Sequence, residues 1–466
     1  MMISKKSGNK SVIVVIASIA ATGGLLFGFD TGVISGAQNF LQDAGGWGIS
    51  DSQLEWVTTA VLIGAILGAA LSGRITDILG RKKVIIAAAI IFAIGAVATG
   101  AAPSVSTLVI GRIVIGIAIG IASFSVPLYI SEISPTKSRG ALVSMNQLMI
   151  TIGILVSYIT DYAIANDNNP FSWRWMFYVG FIPAIILLVG MFFVPETPRW
   201  LIGKGREEEG RKVLEKVEDP ELVEESVQKI KADIARESES ASYREVFKPW
   251  LRTALFIAVG IMFFQQLTGI NTIIYYSPKI FKMAGIESNT LSILPSILLG
   301  AVNVLFTVVS ILLLDKLGRR PLYFIGMSGM VVALVCVGLS FFLESTLGDK
   351  LATFTVASMF LYIIFFAVSM GPLGWLIISE VFPLKVRGVG MSLGSLSNWL
   401  FNGIVAFTFL KLVNALSAAG AFWLYAGIGI LAIIWGFKYI PETKGVTLEQ
   451  IEDHWREGKK PRELKM

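Results

Sequence analysis

The sequence predicts an all-α membrane protein of twelve transmembrane helices, arranged as two pseudo-symmetric six-helix halves with short helices between them. Three observations predict it: long apolar runs, cations gathered in alternate connections, and motifs that occur twice in the same order. Of 466 residues 54% are hydrophobic and 15% charged, and the apolar ones collect in runs instead of spreading at amphipathic spacing. Runs such as Val84 to Ala102 and Phe177 to Val194 approach or reach the roughly 20 residues that cross a hydrocarbon core about 30 Å thick.

The first run follows Lys5, Lys6 and Lys10, as a secretory signal would, but continues past Asp30 without a small-residue cleavage site. It is therefore expected to remain as the first span. The spans fall at 12–40, 54–73, 84–102, 106–130, 140–162, 174–194, 251–280, 290–314, 321–343, 352–379, 387–413 and 419–440. Alternate connections carry the cations: Arg74, Arg81, Lys82 and Lys83; Lys137 and Arg139; the charged segment after Pro195; Lys316, Arg319 and Arg320; Lys385 and Arg387. The positive-inside rule then places both termini in the cytoplasm; the chain is expected in the cytoplasmic (inner) membrane, with the lipid bilayer as its surroundings. The formal charge of +6 has the same origin, and no nucleic-acid partner is expected.

Two scarcities narrow the chemistry. Cys336 is the single cysteine and sits in an apolar run, which excludes an internal disulfide and makes it a small apolar residue. His454 is the single histidine and lies in the polar C-terminal tail, so neither a histidine metal site nor a Ser-His-Asp triad can be assembled. No cofactor, no metal and no enzymatic activity are expected.

The halves repeat each other. Ser131-Glu132-Ile-Ser-Pro135-Thr-Lys-Ser-Arg139-Gly140 returns as Ser379-Glu380-Val-Phe-Pro383-Leu-Lys-Val-Arg387-Gly388. Asp77-Ile-Leu-Gly80-Arg81-Lys82 returns as Asp315-Lys-Leu-Gly318-Arg319-Arg320, and Pro195-Glu196-Thr197 as Pro441-Glu442-Thr443. Such a parallel repeat marks a rocking transporter whose substrate binds between the halves near the midplane. The expected domains are an N-terminal bundle over 1–195, a cytoplasmic helical linker over 196–250, a C-terminal bundle over 251–441 and a cytoplasmic tail over 442–466. In the linker Val, Leu and Ile recur at helical spacing, against the alternative of a solvated, disordered connection.

At these residues the chain resembles the sugar porters of the major facilitator superfamily, from Gly23 to about Thr447. The resemblance is carried by Gly24-Leu-Leu-Phe27-Gly-Phe-Asp30-Thr-Gly, the loop from Gly73-Arg74 to Lys83, Gly111-Arg112, Pro127-Leu-Tyr129-Ile-Ser-Glu132 and Pro195-Glu-Thr-Pro-Arg199-Trp. Gln265-Gln266-Leu-Thr-Gly-Ile-Asn271, Gly371-Pro-Leu-Gly-Trp375 and Asn398-Trp399 complete it. Thr197 stands where most members have Ser, and Phe29 where many have Tyr. The resemblance implies a bacterial proton-coupled monosaccharide symporter, probing its cargo by alternating access and working as a monomer, with a hexose such as glucose or galactose, or a pentose, imported together with a proton. An uncoupled facilitator of the same fold, a transport-inactive sugar sensor and a multispan glycosyltransferase are the rival readings. The sensor fits poorly with so short a C-terminal tail, and the glycosyltransferase with the two-half repeat.

Asp30 and Arg112 are ionisable residues deep within spans, where an isolated charge costs about 2.5–3.5 kcal/mol on insertion scales. Counting about 1.5 Å per residue brings them to similar depth, so they are candidates for pairing. Desolvation disfavours the charged carboxylate and a neighbouring guanidinium favours it, so helix movement would change proton affinity. A static ion pair is the alternative. Family proton symporters resemble this chain in having Asp at position 30.

Sugar recognition calls for neutral donors and acceptors beside flat apolar faces, which amides and aromatics supply. By the resemblance, Gln147, Gln265, Gln266, Asn271, Trp375 and Asn398 bind the sugar, with Phe27, Tyr275, Tyr276 and Asn303 lining the site. Taken singly, a buried amide in a span can equally be an interhelical hydrogen-bond partner. Gln266 and Asn271 are five positions apart, roughly 140° around a regular helix, so an unwound turn at Gly269 would help them face one another. Gly371-Pro372 is likewise expected to break the tenth helix.

Arg74, Asp77, Arg81, Glu132, Arg139, Glu196 and Arg199, with Asp315, Arg319, Glu380, Arg387 and Glu442, are expected to form a cytoplasmic gate of ion pairs; a solvated, topology-setting face is the alternative. Gly24, Gly28, Gly32 and Gly36, and Gly116 with Gly120, form stripes that allow close helix approach.

Overall fold

A computed structural model describes residues 10–135, 138–237, 243–383 and 386–464. Of the charged residues singled out in the sequence, Lys5, Lys6, Lys137 and Lys385 lie outside the described residues, as do the side chains of Lys10, Arg139 and Asp315.

Helices long and apolar enough to cross a membrane are α1 (Ser11–Leu41), α2 (Asp51–Leu79), α3 (Arg81–Gly100), α4 (Val105–Ile133), α5 (Gly140–Ile164) and α6 (Ser172–Phe193). They continue as α7 (Pro249–Met283), α8 (Leu291–Leu314), α9 (Arg319–Phe342) and α10 (Glu344–Glu380). The last long helix, Arg387–Tyr439, is 53 residues, far more than one crossing needs, and Ser417 inside it has φ 68 and ψ 167. This kink divides it into α11 (387–416) and α12 (418–439), giving the twelve-helix architecture.

Hydropathy alone explains why these segments are helical: in a bilayer every backbone donor and acceptor has to be satisfied within the segment. What stops or bends the helices is more local. α3 and α9 each follow a glycine with positive φ, Gly80 at 98° and Gly318 at 87°, a conformation that a side chain resists. α7 breaks at Gly269, which is left-handed at φ 86 and ψ 19, as the Gly269 reading anticipates. α10 breaks at Ser369, φ −124 and ψ −89, with Met370–Glu380 resuming the helix. The break thus falls two residues before Gly371 and not at the Gly-Pro pair itself. Pro372 sits near the start of the resumed helix, where a missing N–H costs nothing.

Two compact units are recognisable. The first comprises residues up to 30 with 63–154 and 177–240; the second comprises 31–62, 155–176 and 241 to the C-terminus. In the first unit, glycines set the packing. A Cβ on Gly28 would overlap the Ile150 carbonyl of α5, one on Gly24 would stand 2.6 Å from the Asn146 carbonyl oxygen, and one on Gly120 would overlap the Ala65 carbonyl of α2. All three obstacles are backbone and cannot rotate away. Gly28→Leu is therefore expected to separate α1 from α5 and to lower folded yield and melting temperature sharply, by an overpacking penalty of about 1–3 kcal/mol or more. Unchanged thermal stability in detergent would refute this close approach.

The segment after α6 forms the helices Pro198–Gly203, Glu207–Val217 and Val223–Glu237. They share a small apolar core of Ile202, Leu214, Val223 and Val227, with Ile230 and Ile234 against it. In the second unit the tail also folds. Helix Leu448–Arg456 begins with a Thr447–Gln450 capping box, Trp455 donates its indole N–H to the Val381 carbonyl at 2.9 Å, and Arg456 lies over the Trp250 ring.

Candidate functional site

In the first unit Arg112 Nη1 donates to Asp30 Oδ1 across 82 residues of sequence, with both side chains almost wholly buried. The guanidinium also lies 5.6 Å from the centre of the Phe177 ring. Each charge thereby has the partner that burial demands, because removing either one leaves the other desolvated and uncompensated. Phe29, next to Asp30, is buried and packs near Gly180. Gln147 on α5 and Phe27 on α1 belong to this unit and are half-buried.

In the second unit the break in α7 does for Gln266 and Asn271 what a regular helix would not. Asn271 Nδ2 donates to Gln266 Oε1 at 2.5 Å. Gln266 Nε2 reaches Gln265 Oε1 at 3.3 Å, and Asn398 Nδ2 of α11 donates to the same oxygen at 2.7 Å. Gln265 Nε2 donates to the Met370 carbonyl at 2.6 Å, immediately beyond the break in α10. Four amides from α7 and α11 are thus chained together and anchored to an opened turn of a third helix. Every one of them is buried and neutral. The same unit holds Asn303, buried on α8, and Trp375, half-buried beyond the α10 break. Tyr275 receives a hydrogen bond on its hydroxyl from Asn402 Nδ2 at 3.2 Å. Tyr276 is fully buried and donates to the Ala406 carbonyl at 2.8 Å, which commits its hydroxyl to packing. Asn402 was passed over in the sequence because it lies one turn beyond the Asn398-Trp399 motif and has no motif of its own.

The gate residues form two clusters of the same design, each closed within one unit. In the first, Arg81 pairs with Glu132 at 2.9 Å and with Asp77 at 3.2 Å. Thr197 Oγ1 donates to Glu132 at 2.6 Å, and Glu196 accepts from the backbone amides of Arg81 and Lys82. In the second, Arg319 grips Glu380 through Nε and Nη2 at 3.1 and 2.7 Å. Thr443 Oγ1 donates to Glu380 at 2.5 Å, and Glu442 accepts from the amides of Arg319 and Arg320 at 2.9 and 3.0 Å. Glu196 and Glu442 therefore cap the N-termini of α3 and α9, where a carboxylate meets unpaired amides and the positive end of the helix dipole. Burial nevertheless holds the Glu196 carboxyl above its ordinary value of 4.5, against the donors Thr197, Lys82 and Arg81. Thr197, the departure from Ser, keeps the hydroxyl that the cluster uses. Arg199 lies 3.9 Å from Asp233, Arg74 is exposed and Arg387 half-buried.

Sequence reading missed a polar seam at the opposite end of the spans, wholly inside the second unit. Lys279 of α7 meets Asp51 at 2.6 Å and Gln42 at 2.5 Å. Glu55 of α2 meets Lys411 of α11 at 3.3 Å. Gln38 of α1 donates to the Tyr275 carbonyl at 3.0 Å, Asn39 to Ser292 at 3.0 Å, and Tyr158 of α5 to the Ile274 carbonyl at 2.8 Å. Asp167, in the loop after α5, accepts from Ser288 at 2.5 Å and from Thr290 at 2.7 and 2.8 Å. The partners lie more than a hundred positions apart, so no local pattern announces them. Burial pushes Asp167 up, but the Ser288 and Thr290 hydrogen bonds and the Lys282 charge outweigh it and hold the carboxyl below its ordinary value of 3.8. A depressed carboxylate stabilises its contact above the ordinary value and loses it only as pH falls through the depressed one. Hydrogen-exchange protection at 288–290 is thus expected to be flat from neutral pH down to about that value; loss at mildly acidic pH would contradict it.

Among known proteins, the galactose-proton symporter of Escherichia coli strain K12 is 39% identical, the match covering 99% of this chain and 98% of that protein. The glucose transporter GlcP of Staphylococcus epidermidis is 39% identical over 96% of this chain and 98% of that one. The solved structure of the xylose transporter XylE from E. coli, in a partially occluded inward-open conformation, matches with a TM-score of 0.82 at 33% identity, covering 94% of this chain and 100% of that one. Residues 16–455 match the family described as sugar (and other) transporters, and with these relatives the chain belongs to the sugar porter family of the major facilitator superfamily, as a multi-pass membrane transporter and not an enzyme.

Proposed function

We propose that this protein imports a monosaccharide together with a proton across the cytoplasmic membrane by alternating access, both termini facing the cytoplasm. The single observation that carries the coupling is the buried Asp30–Arg112 pair, a carboxylate whose proton affinity depends on whether the guanidinium stays beside it. Relatives named for galactose-proton and arabinose-proton symport support the same reading. The amide chain Gln265, Gln266, Asn271 and Asn398 offers neutral donors and acceptors suited to sugar hydroxyls, with Trp375 supplying an apolar face. Tyr275 and Asn303 line it; Gln147 and Phe27 stay in the proposal on the family resemblance. A hexose such as glucose or galactose is the favoured cargo.

The order 1–195, 196–250, 251–441 and 442–466 is retained as the functional division, working as a monomer. On this reading the Lys279–Asp51 and Glu55–Lys411 contacts hold the outer side shut, and the Arg81–Glu132 and Arg319–Glu380 clusters brace the cytoplasmic ends.

The test is uptake of labelled glucose, galactose and xylose into proteoliposomes under an imposed inward proton gradient, with and without protonophore. Accumulation above equilibrium that protonophore abolishes supports symport. Uptake that only equilibrates, indifferent to the gradient, would make the protein a facilitator and return Asp30 and Arg112 to a structural pair.

A further inference from the structure

Among the described residues three carboxylates are buried within the spans: Asp30, Glu55 and Asp161. Asp30 has Arg112 and Glu55 has Lys411. Asp161, on α5 and wholly inaccessible to solvent, has among the described residues no cation and no side-chain donor on either oxygen. The Gly36 backbone of α1 approaches it, but that contact falls short of a well-formed hydrogen bond. The fit is tight: a Cβ on Gly36 would stand 2.5 Å from Asp161 Oδ2. The surroundings are neutral. Tyr158, one turn earlier on α5, donates to the Ile274 carbonyl of α7, and Ser35 of α1 pairs with Ser277 of α7, which pairs in turn with Ser296 of α8. Of the titratable groups among the described residues, Tyr158 lies within reach of the Asp161 charge, and Tyr275 of α7 acts in turn on Tyr158.

An ionised carboxylate cannot stay in such a place without a counter-charge; the group takes a proton instead. We propose that Asp161 is a second proton-binding site, whose carboxyl holds a proton while the outer ends of α1, α5 and α7 are packed together and releases it to water when they part. The site is separate from Asp30, which already has its cation. Its protonation stands on packing alone, whereas its release rests on the alternating-access reading.

The test is infrared spectroscopy of the full-length protein in lipid, with aspartate carrying carbon-13 at the side-chain carboxyl. The isotope shift separates protonated Asp from protonated Glu. The expected result is a protonated-Asp carbonyl band at neutral pH that persists in Asp30→Asn and is lost in Asp161→Asn. Absence of any protonated-Asp band in the wild type at neutral pH would overturn the proposal, and this arm needs no variant to fold. Loss of the band in Asp30→Asn, with Arg112 unpaired, would overturn it equally by assigning the proton to Asp30.

The trapping step is read from the double variant Asp51→Asn, Lys279→Met, which removes the ion pair between α2 and α7. Its protonated-Asp band is expected to titrate away at lower pH than in the wild type. An identical titration would overturn release on opening. If no sugar is transported yet the band is present, the proton site stands and the proposed function falls.

Discussion

Asp30→Asn is expected to reduce sugar accumulation to equilibrium, with downhill uptake falling by a smaller factor. An inward potential of about 100 mV supplies about 2.3 kcal/mol per proton, enough at one proton per sugar for about 50-fold accumulation. Asparagine keeps the size of the side chain and cannot ionise, so that ceiling collapses to about one. Part of the effect is structural, because Arg112 is buried at 1% exposure and breaking a buried pair from one side costs about 3–5 kcal/mol. Asp30→Glu separates the two contributions: it restores a carboxylate and with it some accumulation, which a purely structural partner would not do. Accumulation in Asp30→Asn equal to the wild type would remove Asp30 from the coupling.

Gln265→Leu is expected to weaken sugar binding by about a hundredfold or more. Gln265 stands at the centre of the amide chain, donating to the Met370 carbonyl and accepting from Asn398 and Gln266. Leucine strands all three partners, at about 1–3 kcal/mol each in stability, and separately takes the amide's donor and acceptor away from the sugar, where two lost contacts of about 1.4 kcal/mol, tenfold each, make about a hundredfold. Binding measured by calorimetry or by ligand-dependent melting reads the loss directly. A variant that folds and binds sugar like the wild type would show that the chain of amides is only an interhelical tie.

The two clusters built on Glu132 and Glu380 explain why the repeated motifs are repeated. Arg81, Glu132, Glu196 and Thr197 reproduce in the first unit the arrangement of Arg319, Glu380, Glu442 and Thr443 in the second. Each carboxylate braces helix ends inside its own unit. The gate reading requires these braces to act by stiffening helix ends, and neutralising Glu132 is a measure of that stiffness before it is a measure of gating.

The sequence by itself determined the spans, the twofold repeat, the helical character of 198–237 and the family, because hydropathy and motif spacing are local properties of a chain. It also pointed to Gly269 as a break and to Asp30 with Arg112, since an ionisable residue deep in an apolar run needs a partner and few were on offer. Tertiary structure alone decided which side chains meet. Span limits give depth but not rotation about the helix axis, so the seam through Lys279, Asp51, Glu55 and Lys411 was invisible: its members lie near span ends, where charges ordinarily meet water. Asp161 was passed over for the same reason, one residue inside the predicted limit of 162. Only the packing of α1 against α5 at Gly36 turns it from an interfacial carboxylate into a buried one without a counter-charge. The break in α10 moved to Ser369 on similar grounds, because Gly371 and Pro372 fit the first turn of the resumed helix. Burial and pairing are properties of neighbours, and neighbours drawn from distant spans are fixed by packing.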